Sequence, residues 1–217
     1  MIWVYVLYFF ILSCIGYVYE TIAMTIWGGK WENRGFFYGP IIPIYGAGAL
    51  GGTLLFTYLM PRHTMMQVFF IGMFVSAILE YVVLYVLEKL FNQVWWDYSK
   101  SIFNLHGRFC LPASIGFGLA GVLIIYFINP ILLTYLLSIN RIKVFYVSIA
   151  LLVIFIENYK LTIMKLKGKA GKFDHRYQHL NDSMEKFTGK IISEDMALSK
   201  PVYKVFEMID HRTRSAE

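Results

Sequence analysis

The sequence predicts an all-α, polytopic helical membrane protein with about five transmembrane helices, two pseudo-repeated helix–loop–helix units and a cytoplasmic helical tail. Three observations carry this. Of 217 residues, 58% are hydrophobic, 18% aromatic and only 16% charged, too apolar for an ordinary soluble domain. The apolar residues come in blocks long enough to cross a hydrocarbon core of about 30 Å, which takes roughly 20 helical residues. No alternating strand pattern points to a barrel, and a spanning chain has to satisfy its backbone groups internally.

The first block, 2–27, has no basic leading region and no small-residue cleavage site, so it is expected to remain as a spanning helix. The second block, 41–60, ends at Pro61-Arg62-His63, and the third covers 65–91. The fourth, 111–137, contains Asn129-Pro130, where loss of a backbone donor and a clash with the preceding turn predict a kink. The fifth covers 144–161. Residues 1–161 therefore form the expected transmembrane domain, and 162–217 a separate amphipathic tail.

Orientation follows the basic residues. Arg141 and Lys143 precede the fifth block, while Lys160, Lys165, Lys167, Lys169 and Lys172 follow it, which places the C-terminus in the cytoplasm. Five spans then put the N-terminus outside, in a plasma-membrane protein. The loops after blocks one and three become cytoplasmic and carry Lys30, Arg34, Lys89, Lys100 and Arg108. Trp3, Trp27, Trp31, Trp95 and Trp96 fall near the expected interfaces. The net charge of +6 is thus mostly loop and tail charge, with no basic, aromatic-interleaved module for nucleic acid.

An internal repeat accompanies this layout. Gly46, Gly48 and Gly51 recur 70 residues later as Gly116, Gly118 and Gly121, with Pro43 and Pro112 just ahead of each set. Each set follows a polar loop, and each loop follows a long apolar helix, as a parallel repeat requires. Both sets match GxGxxG, but no strand precedes either. The glycines are read as helix-packing positions instead of a dinucleotide site. In the tail, Phe173, Tyr177, Leu180, Met184, Phe187 and Ile191 alternate at spacings of four and three, a helical stripe for docking, dimerising or lying at the headgroups. Ser199-Lys200-Pro201 then marks a second helix start, ahead of Val202, Val205, Phe206 and Ile209.

The candidate substrate site is drawn from the membrane carboxylates and the two loops. Glu20, Glu80 and Glu88 lie inside or near the ends of spanning helices, where a charge costs about 2.5–3.5 kcal/mol on insertion scales. The first loop contributes Asn33, Arg34, Gly35 and Tyr45, with Gly39, Pro40 and Pro43 holding the chain irregular before the second helix begins. The second loop contributes Asp97, Tyr98, Ser99, Asn104 and Arg108. His106 and Cys110 bring no third ligand, and Asp97, Ser99 and His106 make no triad by spacing. Cys14 and Cys110 read as small packed residues. No metal and no cofactor is expected.

With these residues in view, the sequence resembles the bacterial ABC-transporter permease family of type IV, the CmpB group. The resemblance rests on Glu20, on Asn33-Arg34-Gly35-Phe36 with Gly39-Pro40 and Pro43-Ile44-Tyr45-Gly46, and on Glu80 and Glu88. It continues through Trp96-Asp97-Tyr98-Ser99, Asn104, Gly107, Cys110 and Ser114, and so covers about Tyr8 to Gly121. It implies a membrane-spanning permease subunit working with a separate ATPase, because this chain carries no GxxxxGK[ST] phosphate loop. A second reading is a membrane-embedded enzyme acting on a lipid or polyprenyl-phosphate head group, with Arg34, Arg108 and Asn104 on the phosphate and Glu20 or Glu80 as base. A third is a regulatory or assembly protein whose loops only clamp the bundle. The expected partners are the lipid bilayer, an ATPase subunit and a second copy of the chain.

Overall fold

The computed structural model describes residues 1–28, 31–35, 37–91, 94, 96–166 and 171–195. Lys30, Phe36, Trp95, Lys167, Lys169 and the expected helix from Ser199 to Ile209 lie outside the described residues, as do the side chains of Trp27, Lys172, Phe173 and Ile191. The elements are α1 (Ile2–Gly28), α2 (Pro43–Leu54) continued by a π-helical turn (Leu55–Leu59), α3 (Met65–Phe91), and a hairpin of β1 (Asn104–Leu105) and β2 (Phe109–Cys110). They continue with α4 (Leu111–Leu123), a second π-helical turn (Ile124–Ile128), α5 (Asn129–Ser138), α6 (Arg141–Leu166) and α7 (Gly171–Asp195).

The surface is inside-out relative to a water-soluble protein. Phe74, Ile78, Leu119, Phe127 and Ile131 are exposed, while Ser13, Thr53, Glu80, Ser114, Asn129 and Ser148 are buried. That distribution suits a hydrocarbon solvent, in which polar groups seek the protein interior. Among the described residues, four helices are long and apolar enough to cross a membrane: Ile2–Ile26, Met65–Phe91, Leu111–Ser138 and Arg141–Leu166. The segment expected at 41–60 is helical only over Pro43–Leu59. At 1.5 Å per residue it reaches roughly 25 Å, shorter than a typical bilayer core. Ile41 and Ile42 are buried as non-helical chain ahead of it, because prolines 40 and 43 delay the helix.

Contacts divide the chain into two compact units, Met1–Cys14 with Pro43–Glu157, and Ile15–Ile42 with Asn158–Glu217. α6 runs unbroken through the boundary expected at 161. In the first unit, Tyr8, Leu12, Ala49 and Leu136 form a buried core, with Leu7, Ile11, Leu50 and Leu132 against it. Gly46 allows α2 to meet α1 closely, since a Cβ there would collide with Ser13 Oγ and the Phe9 carbonyl. Gly118 does the same for α4 on α3, where a Cβ would stand 2.8 Å from the Phe69 carbonyl. Gly48, Gly51 and Gly116, also expected as packing glycines, have nothing within 4 Å of that position. The expectation is corrected for these three, because the helical period turns them away from the crossings that Gly46 and Gly118 make.

Both helices of the repeat change to π geometry at matching places. Met60 N–H donates to the Leu55 carbonyl at 2.8 Å, and Asn129 N–H to the Ile124 carbonyl, each five residues back. The second turn sits directly before Asn129-Pro130, so the missing proline donor is absorbed by a widened turn. Next to these turns, Tyr8, Thr53 and Asn129 close a buried polar cluster. Tyr8 OH donates to Asn129 Oδ1 at 2.7 Å and lies 2.9 Å from Thr53 Oγ1. Asn129 Nδ2 donates to Thr53 Oγ1 at 2.9 Å, and that hydroxyl donates to the Ala49 carbonyl at 2.7 Å.

Candidate functional site

The second loop, in the first unit, folds around a turn that an all-helical expectation does not contain. Asn104 pairs with Cys110 and Leu105 with Phe109. Between them, Arg108 N–H donates to the Leu105 carbonyl at 3.0 Å, and His106 (φ 53°) and Gly107 (φ 67°) occupy the two positive-φ positions. This is the turn geometry that suits a tight hairpin. Gly107 is also needed for space, since a Cβ would lie 2.7 Å from Asp97 Oδ1.

Three of the expected site residues fold this loop from within. Asp97 accepts the Ser99 backbone N–H at 2.8 Å and the Ser99 hydroxyl at 3.0 Å. These bonds, the backbone one foremost, hold its pKa below the usual carboxylate value. Asn104 Nδ2 donates to the carbonyls of Ser101 (2.8 Å) and Ser99 (3.2 Å), and its Oδ1 accepts from Gly107 N–H at 3.1 Å. Each side chain replaces a backbone partner that irregular chain lacks.

The loop is then tied to α3 by three side chains, Arg108, Tyr98 and His106. Arg108 donates through Nη2 and Nε to Glu88 Oε2 at 2.7 and 3.2 Å, and through Nη1 to Tyr81 OH at 3.3 Å. Its guanidinium also lies over the rings of Tyr81 and Tyr85, 5.3 and 5.4 Å from their centroids. Tyr98 OH donates to Glu80 Oε1 at 3.0 Å, and Glu80 is buried at 5% exposure. His106 Nδ1 stands 3.1 Å from Tyr81 OH, and Cys110 is buried as the residue before α4.

The second unit repeats the arrangement around the first loop. Arg34 Nε donates to Glu20 Oε1 at 3.1 Å and Nη1 to Glu32 Oε1 at 3.0 Å. Burial alone would lower the Arg34 pKa, but the two carboxylates, Glu20 first, outweigh it and raise it. Asn33 Oδ1 accepts Gly35 N–H at 3.0 Å, and its Nδ2 donates to Tyr177 OH at 2.7 Å and Asn181 Oδ1 at 2.9 Å on α7. Tyr38 stands edge-on to Tyr177 with centroids 4.8 Å apart, and Lys165 Nζ lies 5.2 and 5.3 Å from the two rings. Gly35 admits no side chain easily, because a Cβ would meet Tyr17 at 3.1 Å. Glu20 and Arg34 in one unit thus match Glu88 and Arg108 in the other: a helix carboxylate holding a loop arginine, twice.

The open space of the first unit lies elsewhere. α3 packs along α4, and between that pair and α2 is a cavity of about 340 Å³. Its lining runs from Ile44 to Phe56, from Val68 to Glu80 and from Phe117 to Ile125. Among the described residues of the lining, only Tyr45, Ser76 and Glu80 have polar side-chain atoms, and Ser76 Oγ donates to its own helix at Met73 O. Tyr45 sits against Phe117, with ring centroids 5.8 Å apart. A second cavity of about 270 Å³ is lined by Thr57, His63, Asn129, Pro130 and Thr134 among others. Phe56 and Ile125 line both, each the second residue of its π-helical turn.

Of the twelve candidate residues, Tyr45 and Glu80 line a cavity. Asp97, Ser99 and Asn104 shape the second loop, and Tyr98, Glu88 and Arg108 tie it to α3. Glu20, Asn33, Arg34 and Gly35 form the clamp in the other unit. Sequence reasoning missed Phe56 and Ile125, whose apolar identity carries no mark in an apolar helix. It also missed the Tyr8–Thr53–Asn129 cluster, because Asn129 read only as the residue before a proline.

Apolar spanning helices and polar groups turned inward together define a polytopic helical membrane protein. Residues 7–163 match the family described as "Putative ABC-transporter type IV", and the chain belongs to that family. No curated protein and no solved structure matches it.

Proposed function

We propose that this chain is the membrane-spanning permease subunit of an ABC-type transporter in the plasma membrane, driven by a separate ATPase. The observation that carries the reading is the pair of cavities that share Phe56 and Ile125. Two spaces in succession, parted by residues from equivalent π-helical turns of a repeated unit, are what alternating access needs: a site, a constriction and an exit. Tyr45 and Glu80 are the substrate-facing members of the candidate set. The clamps at Glu20–Arg34 and Glu88–Arg108 hold the loops on which an ATPase would act. Energy has to come from outside the chain, which has no phosphate-binding loop.

The reading of a lipid-phosphate enzyme draws less support from this geometry. Arg34 and Arg108 are each committed to carboxylates, and Asn104 is used inside its loop. An incoming phosphate would have to displace those partners.

The test is purification of the tagged full chain in mild detergent, followed by identification of what accompanies it. A P-loop ATPase recovered in fixed proportion, with hydrolysis altered by Phe56→Trp, is the expected result. Repeated purification without any ATPase overturns the reading. Accessibility tags at the two ends test the arrangement with the N-terminus outside and the C-terminus cytoplasmic; tags on one side would mean that Pro43–Leu59 does not span.

A further inference from the structure

The larger cavity also limits what the protein handles. A space of about 340 Å³ has room for on the order of ten water-sized groups at roughly 30 Å³ each. Water fills a cavity only where each molecule finds two to four polar partners. Here the walls are aliphatic, aromatic and glycine, apart from Tyr45, Ser76 and Glu80. The volume falls within the range of small-ligand pockets, which are mostly apolar with a few placed polar groups.

The glycines sharpen the point. Gly48, Gly51 and Gly52 line the cavity, and a Cβ at any of them would meet nothing within 4 Å. They are therefore not there for helix contact, unlike Gly46. Their effect is to keep the wall of α2 thin. Tyr45, Ser76 and Glu80 supply the polar side-chain atoms of the lining. Glu80 accepts a hydrogen bond from Tyr98, but a carboxylate has about four lone-pair positions and can receive a further donor.

We infer that this cavity binds the hydrocarbon chain of an amphiphile whose head is a hydrogen-bond donor, a hydroxyl or an ammonium group, seated at Glu80. The head is set by Glu80, whose carboxyl oxygens accept hydrogen bonds, as they do from Tyr98. The inference rests on the transport reading only for what becomes of the ligand; binding itself needs no ATPase.

The experiment uses the purified full chain in detergent and two photoreactive probes of equal chain length, a long-chain alkyl amine and the matching alkyl phosphate, each with a diazirine on the chain. The amine is expected to label the segments around Gly51 and Ser76 at least tenfold more than the phosphate. Gly51→Leu, which fills the cavity without a backbone clash, is expected to cut that labelling about tenfold. Gly116→Leu makes the same change at a glycine outside the cavity and should leave labelling intact. Should Gly51→Leu not fold, Gly48→Leu serves in its place. Glu80→Gln is expected to retain chain labelling and to lose the preference for the amine. Equal labelling of Gly51→Leu and Gly116→Leu, or of amine and phosphate on the native chain, overturns the inference. An ATPase that copurifies while labelling ignores Gly51→Leu sinks this inference alone. Specific labelling with no ATPase partner sinks the transport reading alone.

Discussion

Arg108 Nη2 lies 2.7 Å from Glu88 Oε2, and each side chain is about one fifth to one quarter exposed. The pair joins a hairpin loop to the end of a spanning helix. Its counterpart, Arg34 Nε to Glu20 Oε1 at 3.1 Å, joins the other loop to α1. Partly buried pairs of this kind cost more to break singly than to remove together, because a stranded charge keeps its desolvation penalty.

Glu88→Gln and Arg108→Ala should therefore be non-additive. Each alone is expected to lower stability, and the double variant by clearly less than the sum of the two losses. Thermal unfolding in detergent measures this, and additive losses would mean that the pair contributes nothing as a pair.

Gly46→Ala and Gly48→Ala should move stability in opposite directions. At Gly46 the new methyl meets Ser13 and the Phe9 carbonyl, so α2 has to shift away from α1. At Gly48 it meets nothing, and alanine stiffens the helix by roughly 0.5–1 kcal/mol. Melting curves of the two variants side by side check the sign.

Asn129→Ala removes both the acceptor of Tyr8 OH and the donor to Thr53. A loss of about 1–3 kcal/mol is expected, since two buried hydroxyls lose a partner. Tyr8→Phe should cost less, because Asn129 keeps its bond to Thr53. Equal effects of the two variants would contradict the bonding described.

Asp97 gives a pH signature. Its folded pKa lies below the model-compound value of 3.8, so its contribution is present above that value and is lost as pH falls through the folded pKa. The stability gap between the native chain and Asp97→Ala is thus expected to hold from neutrality down to mildly acid pH and to close below 3.8. A gap that persists in strong acid would show that the charge of Asp97 plays no part.

Asn33→Ala should loosen α7 from its loop, since Asn33 is the donor to both Tyr177 and Asn181. Faster cleavage within 177–190 in limited proteolysis, with the spanning helices intact, is the expected result. Unchanged cleavage would place the hold on α7 at Tyr38 and Lys165 instead.

Much of the architecture was legible in the linear chain. Long apolar blocks, punctuated by Pro61 and by the loops at 33 and 104, mark helices because a bilayer leaves the backbone no other economical form. The repeated glycine and proline spacing marked two related units, and the matching π-helical turns and carboxylate–arginine clamps now extend that likeness. The second helix was legible in place but not in length, because prolines 40 and 43 keep the first residues of its apolar block out of the helix. The hairpin was masked by its brevity: His106-Gly107 is a turn signal that two-residue strands do not reinforce.

What the sequence alone determined is therefore the medium, the helices and the polar residues a membrane does not tolerate without cause. Which of those residues face open space was decided by packing. Glu20, Glu80 and Glu88 are alike in sequence terms, yet two of them hold arginines and one lines a cavity. Gly46 and Gly48 differ by two positions, and the helical period turns one into a contact and leaves the other facing a void. Side-chain direction depends on where neighbouring helices cross, and that is a property of the tertiary structure.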